Sequence, residues 1–173
     1  RHGGFSRPFA RYVCLSDLNR SLHDGRLPEG ARMETVPNPI DVAPGPPADP
    51  ARHHTFLFVG RLAREKGPLL FAAAAVGAAA PQAELAGWLP ADAVADRMRH
   101  GRALVFPSLW PATQGLAVAE AAALGVPAIV SDACAAREAV EDGVTGLLFR
   151  SGDAADLRRQ IERCRDDALV ARM

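Results

Sequence analysis

Short apolar runs alternate with segments of helical periodicity from residue 55 to the end of the chain. The short runs predict buried strands, and the longer segments between them predict helices that proline or a polar cap opens and glycine closes. Strands are expected at residues 55–60, 84–87, 103–106, 128–131 and 146–149, the one at 84–87 being the weakest. Helices are expected from Pro68 through the alanines, at 91–100, 114–124 and 135–141, and from Asp153 onward. This alternation is typical of an α/β fold with a parallel sheet and flanking helices.

Proline sets the boundary of this domain. Six of the 14 prolines fall within residues 37–50, which can form neither a helix interior nor a central strand and which are typical of a semi-extended linker. Before it, an apolar run at 12–15 is followed by Ser16, an N-cap for a brief helix that would reach His23 and stop at Gly25. The resulting division is a leading segment 1–41, a linker 42–54 and a domain 55–173.

Composition excludes several classes of protein. Lys+Arg 20 and Asp+Glu 20 cancel over 173 residues, so the chain lacks the basic character of a nucleic-acid binder. The longest uncharged stretches are broken by proline and glycine, and neither is a convincing membrane span. Three widely spaced cysteines without a CxxC pair indicate neither a disulfide framework nor a zinc site. The first residue is Arg1 and no signal-peptide pattern follows, so we expect the chain to begin inside a longer protein.

The turn between the first strand and its helix, residues 60–67, is the first candidate site. Its three cations, Arg61, Arg64 and Lys66, oppose the dipole of the helix that begins at Pro68, at a cost of about 0.3–1 kcal/mol each when exposed. A bound anion would remove the conflict. A solvated loop, in which Glu65 offsets one charge, is the alternative, and the residues alone do not decide between the two.

The second candidate is the loop at 107–116, which leads into a helix with Thr113 as its expected N-cap. Gly115 there leaves backbone amides open to a ligand. Glu120, on the helical face of Leu116 and Leu124, is the only ionisable residue between Arg102 and Asp132. A partly buried carboxylate needs donors, and a ligand diol could supply two hydroxyls. The alternatives are that the Glu120 carboxylate lies on a solvated strip of the helix, or that it pairs with an internal arginine.

The remaining candidate site residues have either a structural interpretation or two interpretations that stay open. Arg137 and Glu138 are expected to form a surface pair, and Asp132 to cap the helix that carries them. Trp88 could line a base pocket or lie half-buried in the core. No His–carboxylate spacing suggests a metal site or a triad.

Together these segments resemble the C-terminal, donor-binding half of the GT-B glycosyltransferases, most closely the retaining family 4, whose fold is Rossmann-like. FVGRLAREKG at 58–67 resembles the family's first strand and its Arg-x4-Lys diphosphate clamp. ALVFPSLW and TQGLAVAEAAALGVPAIVSD resemble its strand–loop–helix–strand signature, and EDGVTGLLFRSGDAADL its closing stretch. YVCLSDLNRSL and VPNPID resemble the tail of the acceptor-side domain and the start of the interdomain linker.

The resemblance implies a role for each matching residue. Arg61 and Lys66 would neutralise the donor diphosphate and stabilise the leaving group by fixed positive charge, without a metal or other cofactor. The Gln114, Gly115 and Leu116 stretch would bind the diphosphate with its amides. Glu120 would take the ribose hydroxyls. Residues 87–89, including Trp88 and Leu89, would face the base.

Three departures from the family pattern bear on activity. Ala112 stands where the family has the first of two glutamates eight positions apart, and Ala135-Ala136 stand where it has paired glycines. After the alanine helix the chain passes directly to residues 83–90, where the family has a further strand, a Gly-rich turn and a helix. The strand at 84–87 would then dock onto the one at 55–60 or leave an edge unpaired.

The expected function is donor binding in a retaining glycosyltransferase that moves a sugar from a nucleoside diphosphate to an acceptor alcohol, saccharide or lipid-linked saccharide. An N-terminal acceptor domain would supply the rest of the cleft, so this chain alone would turn over little. A non-catalytic remnant that binds nucleotide or a partner chain is the alternative, and a plain α/β scaffold a third. A cytoplasmic location is expected, free or peripheral at the inner membrane face.

Overall fold

The computed structural model describes residues 11–27, 30–42, 46–77, 84–111 and 114–173. Its strands are β1 (Tyr12–Cys14), β2 (Met33–Thr35), β3 (Phe56–Leu57), β4 (Ala103–Phe106), β5 (Ala128–Ser131) and β6 (Gly146–Phe149). Its α-helices are α1 (Asp17–Ser21), α2 (Pro68–Gly77), α3 (Ala91–Arg99), α4 (Leu116–Ala123), α5 (Ala154–Arg163) and α6 (Asp167–Val170). Three 3₁₀ helices lie at Pro50–Arg52, Arg64–Lys66 and Ala135–Ala139.

The main domain is a parallel sheet in the order β3-β4-β5-β6 with helices on both faces, which confirms the predicted α/β fold. Alternate residues of the strands face opposite cores. One core joins the sheet to α3 and α4 and includes Met98, Leu104, Phe106, Val118, Ala121 and Val130. The other joins it to α2 and α5 and includes Ala74, Val105, Ile129, Leu147, Leu157 and Ile161.

The predicted bounds hold closely in the centre of the sheet. The strands at 103–106, 128–131 and 146–149 are where they were predicted. The α4 helix begins at Leu116, two residues later than predicted, because Gly115 precedes it in a left-handed conformation with φ 82°. The expected cap, Thr113, lies outside the described residues. The segment predicted as a helix at 135–141 is a 3₁₀ helix.

The prediction of a strand at 84–87 is wrong. These residues are described, form no strand and are exposed; Leu85 is 82% exposed. Only Phe56 and Leu57 of the predicted strand 55–60 pair with β4, and they form the outer strand of the described sheet. With so short a neighbour, residues 84–87 have no ladder long enough to offset the entropy of ordering them.

The leading segment forms a small unit of its own. β1 and β2 pair in parallel, with α1 in the connection between them. Ser16 is the N-cap of α1, as predicted, and its Oγ accepts a hydrogen bond from the Asn19 amide. Within the described residues, no helix combines the length and the apolar character needed to cross a bilayer.

A buried arginine joins the linker to the C-terminal helices. Arg102, just before β4, is 1% exposed. Its Nη1 donates to the carbonyls of Ala51 at 2.9 Å and His53 at 3.2 Å, and its Nε donates to the Cys164 carbonyl at 2.5 Å. The same Nη1 lies 2.6 Å from Oδ1 of Asp167. One guanidinium therefore holds the end of the linker, the start of β4 and the α5–α6 junction together.

The Asp156 carboxylate joins the turn after β6 to α5 through hydrogen bonds. Burial raises the pKa of this carboxyl, but hydrogen bonds from the Arg150 amide and from Arg159 and Gln160 outweigh it, and the pKa lies below its ordinary value. The Arg150 amide donates to Oδ2 at 2.8 Å, and Arg159 Nη2 to Oδ1 at 2.6 Å. The carboxylate thus stabilises the turn in its ionised form.

We predict that Arg102→Ala lowers the free energy of unfolding by about 3 kcal/mol or more, because it leaves buried carbonyls without a donor. The measurement is urea unfolding followed by circular dichroism. Arg158→Ala is the matched control, since Arg158 is exposed and has no ion pair with the described residues. The control should change stability by less than about 0.5 kcal/mol. Equal losses in the two variants would contradict the role given to Arg102.

We predict that the stabilisation from Asp156 is present above the ordinary carboxyl pKa of 3.8 and is lost as pH falls through the lower pKa of the folded state. Asp156→Asn should therefore be less stable than the parent chain near pH 6, and the difference should shrink below pH 4. Urea midpoints measured across this range test it. A difference that stays constant with pH would show that the ionised form contributes nothing.

Candidate functional site

Two loops are interlocked at the carboxyl ends of β3 and β4, where ligands bind in parallel sheets. The Leu109 amide donates to the Glu65 carbonyl at 2.8 Å, and Ser108 Oγ donates to the same oxygen at 3.3 Å. Gly67 ends the 3₁₀ helix in a left-handed conformation, and a Cβ there would overlap the Pro107 carbonyl oxygen. The turn at 60–67 is therefore fixed on the loop after β4.

A cavity of about 390 Å³ opens between these loops and the start of α4; we call it the loop cavity. Its lining consists of Asn38, Lys66, Phe106, Trp110, Gln114, Gly115 and Leu116. Among the described residues of this lining, Lys66 is the only charged one, and it is half-buried. The first turn of a helix leaves N–H groups without intrahelical acceptors. A cation and the positive end of α4 thus meet in one cavity, which suits an anion.

Arg61 is placed differently from Lys66. Its side chain is 79% exposed, forms an ion pair with Glu65 at 3.4 Å and does not line the loop cavity. Arg61 therefore fits the alternative of a solvated turn, in which Glu65 offsets its charge. Lys66, in contrast, faces the cavity.

The side chain of Gln114 forms hydrogen bonds with the leading segment. Its Oε1 accepts from the Asn38 amide at 2.8 Å, and its Nε2 donates to the Asn38 carbonyl at 3.1 Å. Both polar groups of the side chain are thus engaged with backbone, so the side chain holds the wall of the cavity. Asn38 itself was missed by the sequence analysis, because only this long-range pairing brings it to the site.

Glu120 lies in a second cavity, of about 240 Å³, which we call the α3–α4 cavity. The other lining residues are apolar: Val59, Ala91, Val94, Ala95, Met98 and Leu124. Within the described part of the chain, the Glu120 carboxylate has no hydrogen bond or ion pair. The expected alternative of an internal arginine partner is therefore not found there. Glu120 is only partly buried, and its oxygens are not among the buried atoms without a partner, so the other alternative, solvation of the carboxylate, agrees with the structure. A carboxylate so placed is also able to accept hydrogen bonds from the hydroxyls of a ligand.

Trp88 and Leu89 line neither cavity. Trp88 is 89% exposed, which contradicts its interpretation as a half-buried core residue. Leu89 is half-buried, and Ala91, two residues on, lines the α3–α4 cavity. The stretch at 87–89 therefore lies beside the cavity that holds Glu120.

The weaker candidates have structural partners that the sequence did not reveal. Asp132 Oδ1 accepts from the Ser151 amide at 2.9 Å instead of capping the 3₁₀ helix. The expected Arg137–Glu138 pair is wrong: Arg137 donates to the Asp132 carbonyl, and Glu138 accepts from backbone amides of α1. All three cysteines are free and buried, and burial raises the pKa of Cys164 to about 11. Within the described ranges, no group of three or more His, Cys, Asp or Glu side chains could hold a metal ion.

Several solved structures have a similar fold. Sucrose-phosphate synthase from Thermosynechococcus elongatus matches with a TM-score of 0.80 and 21% identity over 94% of this chain and 51% of its own. HepE of Anabaena, in complex with UDP and glucose, matches with a TM-score of 0.80 and 18% identity, and the match covers 94% of this chain and 55% of HepE. A TarM variant of S. aureus, in complex with Fondaparinux, alpha-GlcNAc-glycerol and UDP, matches with a TM-score of 0.77 and 15% identity. That match covers 92% of this chain and 38% of TarM.

These matches identify the domain as the C-terminal, Rossmann-like half of the GT-B fold, and the chain spans about half the length of the first two structures. Among the curated proteins, none matches the sequence. The family model for glycosyl transferases group 1 matches residues 73–167, which is more than half of the 173 residues and includes α3, β4, α4, β5 and β6. The chain therefore belongs to the group 1 glycosyl transferases.

Proposed function

We propose that this chain is the donor-binding half of a retaining, family 4-like glycosyltransferase, which transfers a sugar from a nucleoside-diphosphate sugar to an acceptor hydroxyl. The observation that carries the proposal is the placement of both cavities along one helix. The positive end of α4 lies with Lys66 in the loop cavity, and Glu120 on the same helix faces the α3–α4 cavity. The family and the UDP in the HepE and TarM complexes support this assignment.

The spacing along α4 suits a nucleotide. At a rise of 1.5 Å per residue, Gly115 and Glu120 are about 7.5 Å apart along the helix axis. A diphosphate at the helix start, beside Lys66, would place the ribose toward Glu120, whose carboxylate has no partner among the described residues. The base would then lie near residues 87–89, with Leu89 and Trp88 on its open side.

The chemistry asked of the chain is stabilisation of a leaving group. When the bond between the sugar and the diphosphate breaks, negative charge grows on the diphosphate, and a fixed ammonium and helix amides beside it favour that state. Lys66, in the lining of the loop cavity, would supply the ammonium. Arg61 would join it by opening its ion pair with Glu65, an exposed pair whose loss costs about 0–1 kcal/mol. No metal is required for this role.

The acceptor is bound elsewhere. We propose that an N-terminal acceptor domain forms the opposite wall of the cleft and binds an alcohol, saccharide or lipid-linked saccharide. Catalysis needs both reactants held together, so this chain alone should bind nucleotide and turn over little. The location proposed for the protein is cytoplasmic, free or peripheral at the inner membrane face. The three free, buried cysteines are typical of a reducing compartment, which supports the cytoplasmic part of this proposal.

A non-catalytic remnant that binds nucleotide or a partner chain is the second candidate. It is favoured by the two-residue β3 at the edge of the described sheet and by the absence of a strand at residues 84–87. Ala112, in place of the family's first glutamate, lies outside the described residues. Sugar transfer by the chain joined to its acceptor half would exclude this candidate.

Lys66→Ala should weaken UDP binding about 10-fold to 100-fold, because a charge-assisted contact to the diphosphate is lost. The measurement is calorimetric titration with UDP, GDP and ADP, with and without Mg²⁺, and we expect one nucleotide to bind without metal. Arg64→Ala is the matched control, since Arg64 is an exposed cation of the same turn outside the cavity lining. If both variants lose affinity equally, only the net charge of the turn matters and the proposed contact is absent.

Glu120→Ala should weaken UDP binding but leave inorganic pyrophosphate binding unchanged, because only the nucleotide presents ribose hydroxyls. Calorimetry with both ligands separates the two effects. The variant should be at least as stable as the parent chain, since the carboxylate has no protein partner among the described residues to lose. Unchanged UDP affinity would exclude the ribose assignment.

A further inference from the structure

Glu138 connects the donor-binding half to the leading segment. It lies on the 3₁₀ helix Ala135–Ala139, yet its carboxylate accepts two backbone hydrogen bonds from α1. Oε2 accepts from the Asp17 amide at 3.0 Å, and Oε1 from the Leu18 amide at 2.7 Å. Because Ser16 Oγ takes the Asn19 amide, the first three N–H groups of α1 are all bound by side chains. A carboxylate at a helix N-terminus is also favoured by the helix dipole.

The other side of the same 3₁₀ helix lies against the start of α4. Ala136 is fully buried, and a Cβ placed on Gly115 would approach the Ala136 methyl to an impossibly short distance. Gly115 therefore touches the 3₁₀ helix through its bare backbone, at the point where α4 presents its amides to the loop cavity. A shift of the 3₁₀ helix must move the start of α4 or open a gap beside it.

A second link reaches the same place. The reciprocal hydrogen bonds between Gln114 and the backbone of Asn38 fix the residue next to Gly115 to the leading segment. Asn38 follows β2, and α1 precedes it, so both links start from one small unit. With five residues, α1 is too short to be stable by itself and depends on Glu138 for its position.

We propose that Glu138 is a positioning residue, which clamps α1 to the 3₁₀ helix and so holds the start of α4 in the geometry that binds the donor diphosphate. This rests on the proposed function and deepens it, because it makes donor affinity depend on how the leading segment is seated. Glu138 lines neither cavity and need not touch a ligand to act. The contacts Glu138–α1 and Ala136–Gly115 form a continuous physical path for this coupling.

The test compares Glu138→Ala and Glu138→Gln with Glu141→Ala, an exposed glutamate three residues on whose side chain has no hydrogen bond or ion pair with the described residues. Amide hydrogen exchange in the ligand-free chain is the first readout. Glu138→Ala should speed exchange at Asp17 and Leu18 and also at Val118, whose amide donates to the Gly115 carbonyl at 2.9 Å at the start of α4, whereas the control should change none of them. Glu138→Gln keeps one acceptor oxygen and should give intermediate rates.

UDP affinity is the second readout. Glu138→Ala should weaken UDP binding about fivefold, Glu138→Gln less, and Glu141→Ala within experimental error. Faster exchange confined to α1, with Val118 unaffected, would overturn the proposal. If the parent chain does not bind UDP, the proposed function fails, while the exchange at Val118 still decides whether the clamp reaches α4.

Discussion

The guanidinium of Arg102 is the contact on which the assembly of this domain depends. It is buried at the beginning of a central strand, and its hydrogen bonds run backward to the linker at Ala51 and His53 and forward to Cys164. Segments that are about 50 and 60 residues away in sequence are thereby fixed to one strand end. Buried carbonyls are costly when unsatisfied, so this arginine fixes the end of the linker. The Ala48 amide, which donates to the Leu124 carbonyl at 2.8 Å, holds the linker at a second point. The leading segment is held separately, by Glu138 at α1 and by Gln114 at Asn38.

At the opposite end of the same strand, close packing of backbone holds the loops together, and no buried charged side chain among the described residues is used. Gly67 fits against the Pro107 carbonyl and Gly115 against Ala136, two approaches that only glycine permits. The loops are therefore held by close packing and by hydrogen bonds to the Glu65 carbonyl, which leaves the Lys66 side chain facing the loop cavity. The Ala136 methyl fills the space beside Gly115, which can accommodate it because glycine has no Cβ.

The central strands were predictable because they are continuous apolar runs buried on both faces, a pattern that needs no tertiary information. The edge was not: residues 84–87 look similar in composition but lack a neighbour with which to pair. For the site, the sequence indicated the two loops and Glu120, whose isolation from other charges is visible along the chain. It could not indicate the roles of Asn38, Glu138 and Asp132, because each depends on a backbone partner distant in sequence.

The α4 helix forms a wall of both cavities, and this has a consequence for the energetics of ligand binding. Two separate small molecules, one in each cavity, would each lose their translational and rotational freedom on binding. A single molecule that spans the helix loses that freedom once, so its affinity can exceed the product of the two separate affinities. Under the proposed function, a rigid common wall would favour a nucleotide, in which the two groups are covalently joined, over phosphate and a nucleoside bound separately, without any additional contact.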